Sequence, residues 1–397
     1  MNKTALFFLA GSHFVTDLNL GSLPAVLPFF VSVYGFDYAS VAGLLFASSC
    51  LSTVVQPLFG YLADRTNQRW FMGAGLLVCG LSFAACGYFT SYWAIFSAIL
   101  LSGIGSAVFH PQAAKFVNAV SAEKRATGMS CFSVGGNGGF GVGPLLAVAL
   151  ISAFGMKGLF LYGAMSLAVG VPLLLYAGRL QGGKAASPAR SMTQKNVVGS
   201  DAENDWRSFA CLTLFIVCRS AVYVGLAGFL PLFCIDVLGT SKAVAGSTLS
   251  VLALSGVFFT FLGGPLADRF GYVRMIRWGS LLLVPAVVLA ILSNHVAWVF
   301  ALVLPISLAF NITYSPFVVL GQTYLAKSVG FASGVTLGIS FSAGGIIAPA
   351  LGRFGDLYGI SVTMWLLALL ALLALLTTFL LRQPAAVQTT SARQEKD

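Results

Sequence analysis

The hexapeptide Gly60-Tyr61-Leu62-Ala63-Asp64-Arg65 returns almost unchanged as Gly264-Pro265-Leu266-Ala267-Asp268-Arg269, 204 positions later in a chain of 397 residues. Each copy sits at the exit of a long apolar run, so the chain reads as two related halves of a duplicated membrane protein. Two further matches keep the same order. Leu27-Pro28 with Val41-Ala42-Gly43 reappears as Leu230-Pro231 with Val244-Ala245-Gly246 at an offset of 203. Phe132-Ser133-Val134-Gly135-Gly136 reappears as Phe341-Ser342-Ala343-Gly344-Gly345 at an offset of 209.

Hydrophobic residues make up 58% of the chain and charged residues 9%, against roughly a quarter charged in soluble domains. Such a chain cannot cover a water-facing surface, and its solvent is mostly lipid. A spanning helix needs about 20 mainly apolar residues. Breaking the hydropathy at polar or Gly/Asn-marked turns predicts twelve spans, near 5–33, 39–62, 70–88, 93–117, 127–153, 158–178, 208–238, 243–266, 274–293, 297–325, 330–353 and 360–381. The first run starts behind Lys3 as a signal peptide would, but it contains Asp17, Pro24 and Pro28 and lacks a small-residue cleavage signal. It therefore reads as a retained span.

The polar segment 179–207 separates six spans from six. The expected organisation is an N-terminal bundle 1–178, a cytoplasmic linker 179–207, a C-terminal bundle 208–381 and a polar cytoplasmic tail 382–397. With the N-terminus in the cytoplasm, 18 of the 22 Lys and Arg fall on that side; Lys157, Lys242 and Arg353 fall outside, and Arg219 lies within a span. The positive-inside rule then puts both termini in the cytoplasm. The net charge of +10 is thus a row of loop anchors, which disposes of a nucleic-acid partner. Seven cysteines lie inside apolar runs without metal-ligand spacing, so they read as small apolar fillers. No metal or other cofactor is expected, and a monomer suffices.

Ionisable groups inside spans are expensive and need a partner or a function. Asp17 and His13 lie four apart in span 1, on one helical face, and an aspartate so placed can load and release a proton as water access alternates. In span 4, Phe109-His110-Pro111-Gln112 combines a titratable group with a proline that breaks the helix locally and frees a carbonyl. The corresponding Ser315-Pro316 in span 10 repeats the proline without the histidine. Arg219 in span 7 stays charged when buried and offers a fork of donors suited to carboxylate or phosphonate; Asp17 is its expected counter-charge. Asn137, Gln112, Tyr223, Asn311 and Tyr314 supply a softer polar lining. Gly135, Gly139 and Gly143, followed by Pro144, form a seam for close helix approach, expected against a helix of the other half. Asp64 can accept backbone N–H groups at the start of span 3 or pair with an arginine across the bundle. With Arg65, it reads as a conformational latch, duplicated in Asp268, Arg269 and Arg274.

The G-x-L-A-D-R loops resemble the signature of the major facilitator superfamily, and Gly264 to Arg274 fits G-x-L-A-D-R-x-G-x-x-R well. The first copy departs from it at Asn67 and Gln68. The resemblance implies the major facilitator fold: an all-α polytopic protein with twelve transmembrane helices in two pseudo-symmetric six-helix bundles that rock about a central site. Gly141-Val142-Gly143-Pro144 resembles the span 5 motif of proton-coupled exporters. The Phe-His-Pro triplet and Phe132-Ser133-Val134-Gly135-Gly136-Asn137 are similar to the fosmidomycin-resistance branch, whose members are bacterial inner-membrane exporters. That likeness implies proton antiport of a compact polar or anionic compound, with H⁺ as the coupling ion. A proton symporter importing a small organic acid or zwitterion is the alternative. With three histidines and no converging nucleophile or metal cluster, an enzyme is not expected. A non-transporting receptor would leave the intramembrane charges unexplained.

Overall fold

A computed structural model describes residues 1–49, 52–66, 70–176 and 203–384 of the chain. Every regular element in it is helical. In hydrocarbon each backbone N–H and C=O must be satisfied within its own segment, and helices do this. In chain order the helices are α1 (Lys3–Tyr34), α2 (Tyr38–Ser49), α3 (Ser52–Thr66), α4 (Trp70–Ala85), α5 (Tyr92–Ser121), α6 (Arg125–Phe154) and α7 (Phe160–Tyr176). They are followed by α8 (Trp206–Asp236), α9 (Lys242–Phe270), α10 (Tyr272–Ile291), α11 (Val296–Tyr324), α12 (Val329–Tyr358) and α13 (Ile360–Thr378). A 3₁₀ turn, Met156–Leu159, leads into α7.

Among the described residues ten stretches are long and apolar enough to cross a membrane, and α4 is a shorter apolar helix. Helices α2 and α3 flank Cys50 and Leu51, which lie outside the described residues, as do Asn67, Gln68 and Arg69 of the first signature loop. Most of the expected linker and tail, 177–202 and 385–397, also lies outside them. Helix ends carry local chemistry. The Asn2 side chain accepts the Ala5 N–H, Asp205 accepts the Ser208 N–H, and Gly35 closes α1 in the left-handed region at φ 69°, a conformation glycine adopts without a Cβ clash. Large apolar side chains such as Leu145 and Leu254 are each 75% exposed, as a lipid-facing surface requires.

The chain forms two compact units. The first contains Met1–Glu123, Cys131–Ser200 and Ser328–Gly338; the second contains Lys124–Ser130, Asp201–Lys327 and Ile339–Asp397. The opening turns of α6 and α12 thus each group with a different unit from the remainder of the helix. In the first unit α4 lies along α5 and α7, and α5 also touches α1, α2 and α3. Phe30, Phe83 and Tyr162 lie in its core. In the second, α11 lies along α9 and α10, α13 packs on α8 and α10, and Phe233, Phe310 and Leu367 are buried.

Two expectations need correction. Pro111 and Pro316 do not break their helices: α5 and α11 run through them without interruption. Proline's fixed φ suits an α-helix, and the local cost is one missing N–H donor and the crowding of its ring against the carbonyl four residues back, which the helix absorbs without ending. The glycine seam of α6 packs within its own unit, against α1. A Cβ at Gly135, Gly139 or Gly143 would meet the backbone carbonyls of Ala10, Phe14 and Leu18 respectively. Two rows of period four therefore mesh, with bare glycine facing carbonyl at each level.

This seam makes a prediction. Gly139→Val should destabilise the protein in detergent by about 1–3 kcal/mol or more through overpacking, read as a lowered melting temperature. Gly141→Ala, where an added Cβ meets nothing within 4 Å, should be neutral or slightly stabilising. Equal melting temperatures for the two variants would contradict the packing described.

Candidate functional site

Three side chains expected to matter, two from span 1 and one from span 4, meet at one point. His13 Nε2 lies 3.0 Å from Asp17 Oδ2, and His110 Nε2 lies 3.1 Å from Asp17 Oδ1. The two Nε2 atoms are 3.1 Å apart. His13 and Asp17 share one face of α1, and α5 brings His110 to them from 93 residues away. Both imidazoles are buried, while the Asp17 side chain retains 16% exposure.

The other ring nitrogens decide the tautomers. His13 Nδ1 is 2.7 Å from the Phe132 carbonyl oxygen, and His110 Nδ1 is 2.8 Å from that of Ser106. A carbonyl only accepts, so both Nδ1 atoms carry hydrogen and donate it. In the neutral rings both Nε2 atoms are then bare. Two imidazole lone pairs and a carboxylate face one another at about 3 Å, an arrangement that is repulsive until a cation enters. One proton satisfies part of the cluster. Two satisfy both contacts to Asp17 but set two imidazolium rings side by side. The cluster is built for a small positive charge of variable number.

Phe132 and Gly136 are parts of this site that spacing alone did not assign. Phe132 stacks on the His13 ring with centroids 3.9 Å apart, besides supplying the carbonyl. A Cβ at Gly136 would fall against the His13 ring and 2.6 Å from Asp17 Oδ2, so only glycine leaves room for the cluster. The signal available was the doubled glycine immediately before Asn137. Gln112 is buried, and neither its Oε1 nor its Nε2 finds a hydrogen-bond partner among the described residues. A buried unpaired amide costs about 1–3 kcal/mol, which marks Gln112 as a group poised for a partner. Asn137 is half-buried.

Arg219 is buried in the second unit. It donates through Nη2 to the Phe310 carbonyl at 2.7 Å and through Nε to Thr313 Oγ1 at 3.3 Å, with the Phe310 and Phe317 rings 5.2 Å from its guanidinium carbon. A small cavity beside it is lined by Ser280, Thr313 and Phe215 among others. The expected Arg219–Asp17 pair is not what holds either charge. Asp17 is taken by the two histidines, and Arg219 has no ion pair among the described residues. Its carbonyl and aromatic neighbours disperse the charge while some of its five donors stay uncommitted. Tyr223 rests edge-on against Phe310, and Tyr314 against Phe317. Asn311 spends its amide on helix packing, donating to the Ser307 carbonyl and accepting from Thr260.

The repeated loops hold a common device. Asp64 accepts the N–H groups of Gly330 and Phe331 at 2.8 and 2.9 Å, and Asp268 those of Ala126 and Thr127 at 3.0 and 2.8 Å. In both cases these are the second and third residues of a long helix, α12 and α6, whose free N–H groups and positive dipole end attract a carboxylate. The glycine four residues earlier permits the approach: a Cβ at Gly60 or Gly264 would strike the Gly330 or Ala126 carbonyl. Among the described residues, the helix ends that Asp64 and Asp268 hold are those of α12 and α6 and not the expected span 3, and no arginine forms an ion pair with either carboxylate, although Arg125 lies within electrostatic reach of Asp268. Lys115 bonds Asp64 at 2.9 Å, while the Thr127 hydroxyl joins Asp268. Arg65 and Arg269 are exposed and lie over the rings of Tyr61 and Phe270; Arg274 is exposed. Long arginine stems at a water-facing end gain little by leaving solvent.

Comparison with known proteins agrees with this architecture. The family model for the Major Facilitator Superfamily matches residues 9–349. The uncharacterized MFS-type transporter YfnC of Bacillus subtilis strain 168 is 28% identical over 94% of this chain and 92% of its own. The fosmidomycin resistance protein of Escherichia coli K12 is 25% identical over 93% and 90%. Among solved structures, the E. coli fucose:proton symporter FucP superposes with a TM-score of 0.74 at 14% identity, over 96% of this chain and 98% of that one, a likeness of fold. The chain is therefore a member of the Major Facilitator Superfamily, a multi-pass, non-catalytic secondary transporter of small molecules that works by alternating access.

Proposed function

We propose that this protein is a proton-coupled antiporter of the fosmidomycin-resistance branch, exporting a small polar or anionic organic compound across the bacterial cytoplasmic membrane. The observation that carries this reading is the meeting of His13, Asp17 and His110 with their lone pairs turned inward. Such a cluster takes up a proton when water reaches it and yields one when its surroundings change, without a cofactor. Export is supported by the names of relatives, a fosmidomycin resistance protein and a Bacillus subtilis multidrug resistance protein, the latter 24% identical.

In this reading there are twelve spans, α2 with α3 making the second and α4 the third, in bundles 1–178 and 208–381, with the linker 179–207, the tail 382–397 and both termini cytoplasmic. The protein works as a monomer. Arg219 attracts the anionic group of the substrate, and Gln112, Asn137, Tyr223 and Tyr314 line its path; Asn311 stiffens α11 against α9. Asp64 and Asp268 latch one conformation by holding the starts of α12 and α6, and opening must surrender those bonds.

The decisive test is a flux screen in liposomes under an imposed pH gradient, with phosphonates, small carboxylates and zwitterionic amino-acid derivatives. The wild type should move at least one against the proton flow, and Asp17→Asn should insert normally yet lose gradient-driven flux. Unchanged flux in that variant would remove the triad from coupling. With the substrate found, Arg219→Gln should raise KM about 10- to 100-fold, the loss of one charge-assisted contact worth about 1.5–3 kcal/mol; an unchanged KM excludes Arg219 from binding. For the latch, Asp64→Asn should speed amide exchange at Gly330 and Phe331, and Asp268→Asn at Ala126 and Thr127, by about 5- to 30-fold for a loss of about 1–2 kcal/mol. Unaltered exchange at those amides would contradict the latch.

A further inference from the structure

We infer that His13, Asp17 and His110 also form a binding site for a divalent transition cation of the zinc class. One ligand atom from each lies within 4.8 Å of the others, and the closer distances sharpen the match. With metal–nitrogen bonds of about 2.0–2.1 Å, an Nε2–Nε2 separation of 3.1 Å subtends roughly 100° at the metal, between the angles of octahedral and tetrahedral coordination. The Asp17 carboxylate lies across the pair with one oxygen toward each histidine, so it can close the site through one oxygen or both.

The surroundings are those of a prepared ligand set. Metal-binding imidazoles generally donate the far N–H to a carbonyl or carboxylate, which fixes the tautomer and aims the bare nitrogen. Here Phe132 and Ser106 receive those hydrogens, Phe132 stacks on His13, and Gly136 keeps the centre clear. The site therefore needs no tautomer change to take a metal. Two neutral imidazoles and one carboxylate are a borderline donor set, favouring zinc, cobalt or nickel over magnesium and calcium, which prefer all-oxygen shells. Partial exposure of Asp17 leaves a side for a water or another ligand to complete the sphere. This assignment is a property of three side chains and stands whether or not the transport reading above holds.

The chain offers a clean assay, because its only other histidine is His295, exposed at the start of α11. Full-length protein, purified in detergent without a histidine tag, is titrated with ZnCl₂ by calorimetry and with CoCl₂ by absorption spectroscopy. The expected result is one zinc per chain, cobalt d–d bands without thiolate charge transfer, and no response to MgCl₂. His13→Gln and His110→Gln should each weaken zinc at least about tenfold, with His295→Gln unchanged. Should either site variant fold poorly, the wild-type cobalt spectrum still decides, since nitrogen and oxygen ligation differs from binding at the cysteines. Absence of stoichiometric zinc binding, a thiolate signature, or affinity untouched in folded His13→Gln and His110→Gln protein would overturn the assignment.

Discussion

The chemistry of this transporter depends on how closely α6 can approach α1. Gly135, Gly139 and Gly143 face the carbonyls of Ala10, Phe14 and Leu18 with no side chain between. That contact delivers the Phe132 carbonyl to His13 and lays Gly136 over the rim of the His13–Asp17 pair. Van der Waals packing replaces the hydrophobic effect as the driving force between helices in lipid, and bare glycine is what makes such packing close. The same seam serves stability and chemistry: it supports α1 and fixes the tautomer that leaves three lone pairs converging.

Duplication left the two halves with one shared device and one difference. The shared device is the glycine–aspartate pair that docks on the start of a helix, Gly60 with Asp64 on α12 and Gly264 with Asp268 on α6. The difference lies in the buried cluster. At the offset of 203 Asp17 corresponds to Ser220, which donates to the Ser340 carbonyl and accepts the Gly344 N–H. At the offset of 205 that aligns Pro111 with Pro316, His110 corresponds to Ser315, whose hydroxyl meets that of Ser130. Where the first half carries titratable groups, the second carries neutral hydroxyls in similar places, and it adds Arg219 one residue before Ser220. The titratable side chains and the buried arginine are thus kept in separate units.

Much of this was legible without coordinates, for identifiable reasons. Apolar runs and turns located the helices because lipid imposes their length. The glycine ladder and the spacing of Gly60 and Asp64 were visible because both are periodic in a helix. Rotation was not legible: helices apolar on nearly every face show no strong amphipathic stripe to say which side points inward. From the sequence alone the seam therefore points to a partner in the other half and Asp17 to Arg219, while the convergence of His110 on Asp17 across 93 residues is hidden. Arg219 found a carbonyl and aromatic rings instead of a carboxylate, partners that no charge count reveals.

The claim beneath all of this is that two imidazoles present bare Nε2 atoms to one carboxylate and share a cation with it. Nitrogen NMR on protein labelled in its three histidines tests this directly. His13 and His110 should keep hydrogen on Nδ1 in the neutral state, and their Nε2 signals should both be altered in Asp17→Asn, while that of His295 stays unchanged. Hydrogen on Nε2 with bare Nδ1 in either neutral ring, or an Nε2 signal of His13 or His110 left untouched in Asp17→Asn, would contradict it.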